Sequence, residues 1–575
     1  MKNRLPILWL LFALAAAPLP AQMTNALDLD ATDAETAPLD SAAARALDEV
    51  ADQTVSEGAG VPFSAEPSGL EGETVPLSLR QAVLMALARN LDIAIERIEP
   101  VLSSAGLLTE EGAVYDPDWV LSSRYTENTQ PIIVDTFSGF DTVAAGQRTY
   151  TYDTGIEQPL PWGGIADFST NARNSQAFGD QFQDDWTSFV GIGLTQPLLD
   201  GFGTDVNLGP VRIARQNLSA SRFGFRFAVE RIVTEVADAY YELIFARGDL
   251  AAQQAALELA EQLLQDNKAR VEIGVMSPLD VSQAQSEVAS RRETALVAKR
   301  AILDQENVLK RLILADITPW LPRRVFPTTV PPRNYRPPQV AENIGKALGQ
   351  RADLQAARNQ VDAAGIQVVI DRNGLLPTVN LQGSLGYQAR ERDYLQSYSD
   401  IFDGEGPVWF AGVNVTMPIN NREAEGTFDA SRAREQRAVL QLKNLEQTII
   451  VEVDNAAGQA RTNAERIVAA KAARVFSEES LKAEQEKLNA GTSTSFVVLE
   501  LQRDLTTARI RELRAIADLQ QSLAELRRVE GDVLDEYGIL IGAPDQSPSP
   551  FRTASGQRIE SAVEAERQEN AAKLR

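Results

Sequence analysis

Apolar residues recur every three or four positions in two long stretches of the chain. The first stretch runs from about 281 to 312 and is interrupted at Arg291 and Gln305, and the second runs from about 498 to 533. A sustained 3.5-residue period is typical of the seam of a left-handed coiled coil. The pattern therefore predicts two long helices that pack along neighbouring helices. The apolar positions are Val281, Ala284, Val288, Ala295, Ala298, Ile302, Leu309 and Leu312, and then Val498, Leu501, Leu505, Ala508, Ala515, Leu519, Leu526, Val529 and Val533.

A still longer helical segment precedes each of these stretches. The first begins at about Pro210, because proline suits the first turn of a helix, and its counterpart begins at about Glu423. At 1.5 Å per residue, the first segment would be roughly 95 Å long. Helices of this length need neighbours along their whole length. The segments complete two long helical hairpins, 210–314 with its turn at Gly274 and 423–537 with its turn at Gly491.

Segments with a two-residue period lie between the helical ones, at about 117–197 and about 377–419. They predict six strands of roughly 9–13 residues with one apolar and one polar face. Such alternation is typical of outer-membrane barrels, and a soluble half-buried sheet has the same pattern. The apolar positions are Trp119, Leu121 and Tyr125; Tyr150, Tyr152 and Ile156; Ala166, Phe168 and Ala172; Val190, Ile192 and Leu194; Val379, Leu381, Leu385 and Tyr387; and Trp409, Ala411, Val413, Val415 and Met417.

The order of these elements occurs twice, which predicts an internal duplication. The sequences around the two turn glycines align at an offset of 491 − 274 = 217, and an earlier Ala-Leu pair, at 86 and 347, aligns at an offset of 261. We therefore expect repeat 1 over residues 77–318 and repeat 2 over residues 341–540, joined by a Pro-rich connector at 319–340. A capping-box pattern from Ser78 to Gln81 starts the first short helix.

The ends of the chain predict export and disorder. A basic start and a short apolar run, residues 1–21, are typical of a cleaved signal peptide, because the run is too short to span a bilayer. The acidic, Ala-rich leader at 22–76 and the polar tail at 541–575 lack any apolar period, which favours disorder.

Composition limits the chemistry. The chain has no cysteine and no histidine, which excludes Ser-His-Asp and Cys-His nucleophiles and His or Cys metal sites. The net charge of −25 argues against a nucleic-acid partner. A carboxylate-only hydrolase is the enzyme class that this composition leaves open, but no cleft-like constellation of carboxylates is visible. We therefore expect no enzyme activity, no cofactor and no metal site.

The strand count predicts an oligomer. Six strands are fewer than the eight of the smallest membrane barrels, and an open sheet edge in lipid leaves backbone groups unpaired. Several chains would therefore share one barrel. The alternative is a soluble periplasmic coiled-coil scaffold, which would share the hairpins but would not need six alternating strands.

Several short motifs, in this order, resemble the TolC family of outer-membrane efflux and secretion proteins. They cover roughly Leu77 to Tyr537 and occur in both repeats. They are Leu77-Ser-Leu79 with Ala86-Leu87 and Asn90, Gln196-Pro197-Leu-Leu199 with Gly201-Phe-Gly203, and the turns at Gly274 and Gly491, which are followed by Gln285 and Gln502.

The resemblance implies an α+β membrane protein. Three copies would form an outer-membrane β-barrel that continues into a long periplasmic α-helical barrel. It implies a passive, gated exit duct in the outer membrane of a Gram-negative cell. Such a duct works with a periplasmic adaptor and an inner-membrane pump of RND, ABC or MFS type, as in efflux or type I secretion, and it expels small molecules, drugs or proteins.

The resemblance also implies a gate at the periplasmic end. By position from the turn glycine, Glu500 matches a carboxylate of the constriction and Asp280 matches a latch carboxylate of the first hairpin. The tips at Gly274 and Gly491 would contact the adaptor. The chain departs from the family pattern at two positions, since Val497 stands at a second acidic position and Ser493 at the position of a latch arginine.

A further departure from the family pattern is an additional pair of alternating segments at about 149–174 in the first repeat. Family members contribute two strands per repeat, whereas this repeat has four. We expect the additional hairpin to join the barrel, which gives six strands per chain and about eighteen per trimer. The alternative is an extracellular extension.

Overall fold

The computed structural model describes residues 73–136, 139–178, 183–331, 335, 337–403, 406–545 and 551–553. The predicted signal peptide, the leader up to residue 72 and most of the predicted tail lie outside the described residues. The described part combines helices and one large sheet, as the expected α+β class requires.

A six-stranded antiparallel sheet collects strands from both halves of the chain. Its order is β2-β3-β4-β5-β7-β8. The segments at 149–174 belong to β3 and β4, which are inner strands of this sheet. They pair with the other predicted strands in one sheet, while their place in a barrel stays a prediction. The strands are β2 (Asp118–Thr136), β3 (Gly139–Pro159), β4 (Ile165–Phe178), β5 (Gln183–Pro197), β7 (Thr378–Glu391) and β8 (Pro407–Thr416).

The register of the sheet aligns its large apolar side chains. Residues that are paired directly across antiparallel strands point to the same face of a sheet. One such row crosses all six strands without a break, and each of its members is apolar. The row consists of Trp119, Ile156, Phe168, Ile192, Leu385 and Trp409.

Two long hairpins of helices follow the strands. The first hairpin is α5 (Gly209–Glu272) and α6 (Pro278–Ile313), and the second is α10 (Arg422–Asn489) and α11 (Ser495–Glu530). Helices α6 and α11 begin and end at the same offset, because 495 − 278 and 530 − 313 are both 217. No helix in the described part of the chain is long and apolar enough to cross a membrane.

Shorter helices flank each hairpin. Helices α1 and α7 have the offset 340 − 79 = 350 − 89 = 261. The others connect the strands and hairpins, and α9 lies in the connection between β7 and β8. The shorter helices are α1 (Leu79–Arg89), α2 (Leu91–Glu96), α3 (Ile98–Tyr115), α4 (Thr204–Asn207), α7 (Val340–Gln350), α8 (Ala352–Asn373), α9 (Tyr394–Phe402) and α12 (Val533–Glu536).

Corresponding contacts hold the short helices to the hairpins. Asn90, after α1, donates from Nδ2 to the carbonyl of Leu312 at 2.8 Å, and Arg351, after α7, donates from Nη1 to the carbonyl of Val529 at 3.5 Å. The donors differ by 261 positions and the acceptors by 217. The two halves therefore use equivalent backbone carbonyls near the end of each returning helix.

The main core lies where α1 packs between α5 and α6. The fully buried Tyr240 ring anchors it, because its hydroxyl donates to the carbonyl of Leu77 at 2.9 Å and accepts from the Thr329 amide at 3.0 Å. These bonds join the chain before α1 to the connector between the halves. A buried tyrosine needs such partners for its hydroxyl group.

Parts of the predicted leader are ordered, and the prediction of disorder is wrong for them. Residues 74–76 lie in β1 (Thr74–Leu77), which pairs in parallel with β6 (Arg324–Pro327) of the connector. This pairing involves only four residues of each strand and has no apolar period. The order of residues 74–76 therefore depends on a segment about 250 residues away, which local patterning does not reveal.

Parts of the predicted tail are ordered as well. Strand β10 (Phe551–Thr553) pairs with β9 (Ile539–Ile541), and the buried Phe551 ring lies 5.9 Å from that of Phe225. Asp545 accepts from the Arg222 guanidinium at 2.8 Å. Contacts with α5 therefore order these tail residues.

Candidate functional site

Each long hairpin reverses its direction at a glycine with a left-handed backbone. Gly274 has a φ of +78° and Gly491 a φ of +75°, which costs glycine little and strains other residues. At each turn, the amide after the glycine donates to the carbonyl five residues earlier, at 3.0 Å. These bonds satisfy carbonyls that a helix end otherwise leaves free. Both tips therefore have the same closed geometry.

Asp280 lies in the first turn of α6. Its Oδ2 accepts a hydrogen bond from the Ser277 amide at 3.2 Å, while the Ser277 side chain caps the helix. This reciprocal arrangement is a capping box. The Asp280 carboxylate thus stabilises the start of its own helix, and its expected role as a latch stays a prediction.

The tips of the two hairpins touch each other within one chain. The Ser495 hydroxyl donates to Asn267 Oδ1 at 3.0 Å, and both side chains are almost fully buried. The Arg270 guanidinium donates to the carbonyl of Leu488 at 3.2 Å and to Asn489 Oδ1 at 2.8 Å. Polar links therefore join α5 to the turn of the second hairpin. The same part of the two hairpins contains an apolar cluster of Leu263, Leu481, Leu488, Val498, Leu499 and Leu505.

A buried carboxylate joins the hairpins further from the tips. Glu287 of α6 is 5% exposed and accepts from Arg291 of the same helix at 2.8 Å and from Arg503 Nε of α11 at 3.0 Å. Burial alone would raise the pKa of Glu287, but its bonds to Arg503 and Arg291 lower the pKa overall. Hydrogen bonding to Glu287 in turn raises the pKa of Arg503. We call Glu287, Arg291 and Arg503 the hairpin clamp.

The hairpin clamp was not among the residues that the sequence predicted. One signal for it was present, because Arg291 interrupts the apolar period of the returning helix. A charged residue in a coiled-coil seam needs a partner. The identity of that partner depends on how two hairpins pack, which helical periodicity does not reveal.

The predicted constriction residue Glu500 is exposed on α11, one turn before Arg503. Its negative charge contributes to the raised pKa of Arg503, after the hydrogen bond to Glu287 and the opposing effect of burial. The Ser493 hydroxyl bonds to Glu484 within its own hairpin. The structure therefore brings Glu500 close to the hairpin clamp, while Asp280 lies in a separate capping interaction.

The sheet presents a second candidate surface. Members of the apolar row are half to three-quarters exposed in the single chain, with Trp119 at 72% and Trp409 at 75%. A continuous exposed apolar surface of this kind marks an interaction site. The opposite face carries polar and small residues such as Asp153, Asp167 and Ser384.

Comparisons with known proteins agree with this arrangement. A family model described as outer membrane efflux protein matches residues 166–313 and 343–532. The outer membrane efflux protein BepC of Brucella suis is 24% identical over 62% of this chain and 75% of its own length. The outer membrane protein TolC of Vibrio cholerae is 21% identical over 53% of this chain and 69% of its own length.

Solved structures share the fold. The outer membrane protein VceC of Vibrio cholerae has a TM-score of 0.58 and 20% identity, and the match covers 79% of this chain and 96% of VceC. The CmeC outer membrane channel of Campylobacter jejuni has a TM-score of 0.56 and 17% identity over 79% of this chain and 86% of its own. These structures show the fold, and the family match over residues 166–313 and 343–532 confirms the resemblance to the TolC family.

Proposed function

Because the chain belongs to the outer membrane efflux protein family, we propose that it is one subunit of a passive, gated exit duct in the outer membrane. The observation that carries this proposal is the apolar row across all six strands, from Trp119 to Trp409. A soluble scaffold would expose this face to water at a large hydrophobic cost. The soluble periplasmic scaffold is therefore disfavoured.

The edges of the sheet support a shared barrel. Among the described strands, β2 and β8 each pair on one side only. An unpaired edge in lipid costs several kcal/mol for each free backbone group. Pairing β8 of one copy with β2 of the next closes the sheet. Three copies give 3 × 6 = 18 strands, within the range of known outer-membrane barrels.

The helices support the same assembly. Exposed apolar side chains line α2 and α3, and others line α10 on the second hairpin. Such side chains need a covering surface. In a ring of three copies, these two surfaces would meet and build a periplasmic α-helical barrel. They include Leu91, Ile95, Ile98 and Leu102 on one side and Leu440, Val451 and Phe476 on the other.

The gate of the duct lies near the hairpin tips in this proposal. Glu500 supplies a carboxylate from each of three copies, and such a ring attracts cations and repels anions. The hairpin clamp and the Asn267–Ser495 bond hold the two hairpins of one chain together. Opening then requires these links to break.

The partners follow from the position of the tips. The turns at Gly274 and Gly491 are exposed and closed by backbone hydrogen bonds, and we assign them to contact with a periplasmic adaptor. An inner-membrane pump of RND, ABC or MFS type supplies the energy, while the duct itself conducts passively. The duct exports small molecules, drugs or proteins.

Fractionation and conduction test the proposal together. The full-length protein is expected in the outer membrane, as a trimer that migrates differently on a gel before and after heating. In planar bilayers, the purified trimer is expected to conduct ions. Recovery of a soluble, non-conducting protein from the periplasm would overturn the duct and support the scaffold.

A further inference from the structure

Helix α9, between β7 and β8, packs against one face of the sheet. The hydroxyl groups of Ser397 and Ser188 lie 2.6 Å apart, and both residues are fully buried. The hydroxyl of Tyr398 lies 3.0 Å from Thr170 Oγ1. The helix is therefore fixed over β4 and β5 by one buried and one partly buried polar contact.

This face is the one that carries the apolar row. Side chains two or four residues apart on a strand share a face. Thr170 thus shares its face with Phe168, and Ser188 shares its face with Ile192, both of which belong to the row. If the row faces lipid, as the proposed function requires, then α9 also lies on the lipid side.

The height of α9 matches the edge of a membrane. On β7, the apolar face runs from Val379 near the long helices to Ala389, which pairs with Ser188 under α9. Ten residues at about 3.4 Å each span about 34 Å along the strand. A strand tilt of about 40° reduces this to about 26 Å, close to the apolar band of about 25 Å in such barrels. Helix α9 therefore lies at the end of the band that is remote from the hairpins.

Helix α9 has large apolar side chains on its outer side as well as on the side that faces the sheet, although Gln396 and Ser399 are exposed as well. Ser397 and Ile401 face the sheet and are buried, whereas Leu395 is 75% exposed and Phe402 is 81% exposed. Leu395 and Phe402 are seven residues apart, so they lie on one side of the helix, away from the sheet. A short helix in water normally directs polar side chains outward.

Aromatic rings cluster beside α9. The Tyr394 ring lies 5.1 Å from that of Trp186 and 5.2 Å from that of Tyr398. The row through Trp186 continues across the sheet to Tyr150 and Tyr125, whose rings are 4.9 Å apart. Girdles of tyrosine and tryptophan mark the interfaces of membrane barrels.

We propose that α9 is an interfacial anchor whose Leu395 and Phe402 enter the outer boundary of the lipid acyl chains. The proposal rests on the proposed function, because it assigns the apolar face to lipid. The occupant is lipid and not a second copy, since α9 packs on β5 and β7. Both are inner strands, whereas copies would meet at β2 and β8.

Single-cysteine labelling tests the anchor, because the chain has no cysteine of its own. Phe402→Cys and Leu395→Cys are prepared in the full-length protein and labelled with an environment-sensitive fluorophore. The labelled trimers are reconstituted into phosphatidylcholine vesicles. Quenching is then measured with nitroxide groups near the lipid headgroup, with nitroxide groups midway along the acyl chains, and with iodide in water. Leu385→Cys, in the apolar row, and Gln388→Cys, on the opposite face of β7, serve as matched controls.

The anchor predicts a blue-shifted label at 402 and at 395 that loses most of its fluorescence to shallow nitroxides and little to iodide. The label at 388 is expected to respond to iodide only. If the 385 label is lipid-quenched but the 402 and 395 labels respond to iodide, the anchor is wrong and the duct stands. Labels at 402 and 395 that respond to neither quencher would mean that protein covers α9, which also overturns the anchor. A 385 label without lipid quenching would overturn the membrane-facing sheet itself.

Discussion

Replacing Arg503 with alanine is predicted to loosen the link between the two hairpins. Glu287 would then lie almost fully buried with Arg291 as its remaining partner. Removing one partner of a buried ion pair typically costs about 3–5 kcal/mol, whereas an exposed pair contributes about 0–1 kcal/mol. The Arg503 side chain is 58% exposed, and Arg291 stays in place. We therefore expect a loss of about 1–2 kcal/mol from the closed arrangement.

A loss of this size changes a two-state gate measurably. One or two kcal/mol corresponds to a factor of about 5–30 in the equilibrium between closed and open states. Planar-bilayer recording of the purified trimer measures this factor as the fraction of time spent in the open state. Arg503→Ala is expected to raise that fraction by this factor.

Arg509→Ala is the matched control. Arg509 binds the carboxylate of Glu478, which also binds Arg474, one turn earlier on the same helix as Glu478. This arrangement resembles the pairing of Arg503 and Arg291 with Glu287. All three residues belong to the second hairpin, so this pair does not join the two hairpins. An unchanged open fraction in Arg503→Ala, or an equal rise in Arg509→Ala, would refute the role of the hairpin clamp.

Three further predictions concern other parts of the chain. Glu500→Gln is expected to lower the cation selectivity of single channels, while Glu479→Gln, at an exposed position of α10, leaves it unchanged. If the two variants have the same cation selectivity, Glu500 does not line the constriction. Burial raises the pKa of Asp238 to about 7, against about 3.9 when unfolded, so the folded state binds more protons between these values and its stability falls as the pH rises. Asp238→Asn should therefore raise the free energy of unfolding at pH 8 by at most about 4 kcal/mol, which is measured as a higher thermal unfolding temperature. This gain should shrink as the pH falls through 7 towards 4, and a gain that is independent of pH would contradict the reasoning. Leu385→Arg should cost the reconstituted barrel about 2–4 kcal/mol in denaturant unfolding, whereas Ser384→Arg on the opposite face should cost much less, and equal costs would contradict the assignment of the faces.

The hairpins could be located from the sequence because their signals are local and repeated. A glycine at each turn and an apolar 3.5-residue period leave few alternatives. Gly274 and Gly491 have the left-handed backbone that such turns require. Helices α6 and α11 each contain 36 residues and are offset by the same number of positions at both ends, which supports the duplication.

The strands of the six-stranded sheet were predictable in number, but their order in the sheet was not. Alternation identifies a strand and its two faces, whereas pairing depends on contacts between distant segments. The pairing of β5 with β7, for example, joins Ile192 to Leu385 across the connector between the halves. The apolar row became visible only once the register was known.

Sequence patterns could not predict the hairpin clamp or the ordered residues of the leader and the tail. Glu287 and Arg503 are ordinary charged residues on helices, and their pairing requires two hairpins in a definite packing. Phe551 is a single aromatic residue in a polar tail, and its contact with Phe225 reaches across more than 300 positions. Such features depend on tertiary structure alone.

Crosslinking of the sheet edges tests the shared barrel most directly. Asp118 in β2 and Thr416 in β8 are exposed, and both lie at the end of the sheet from which the long helices extend. Cysteines at both positions, joined by a flexible bis-maleimide in intact outer membranes, are expected to give covalent trimers on a denaturing gel, while each single variant gives none. Only monomers from the double variant, in membranes where the protein is present and folded, would contradict a barrel built from three copies.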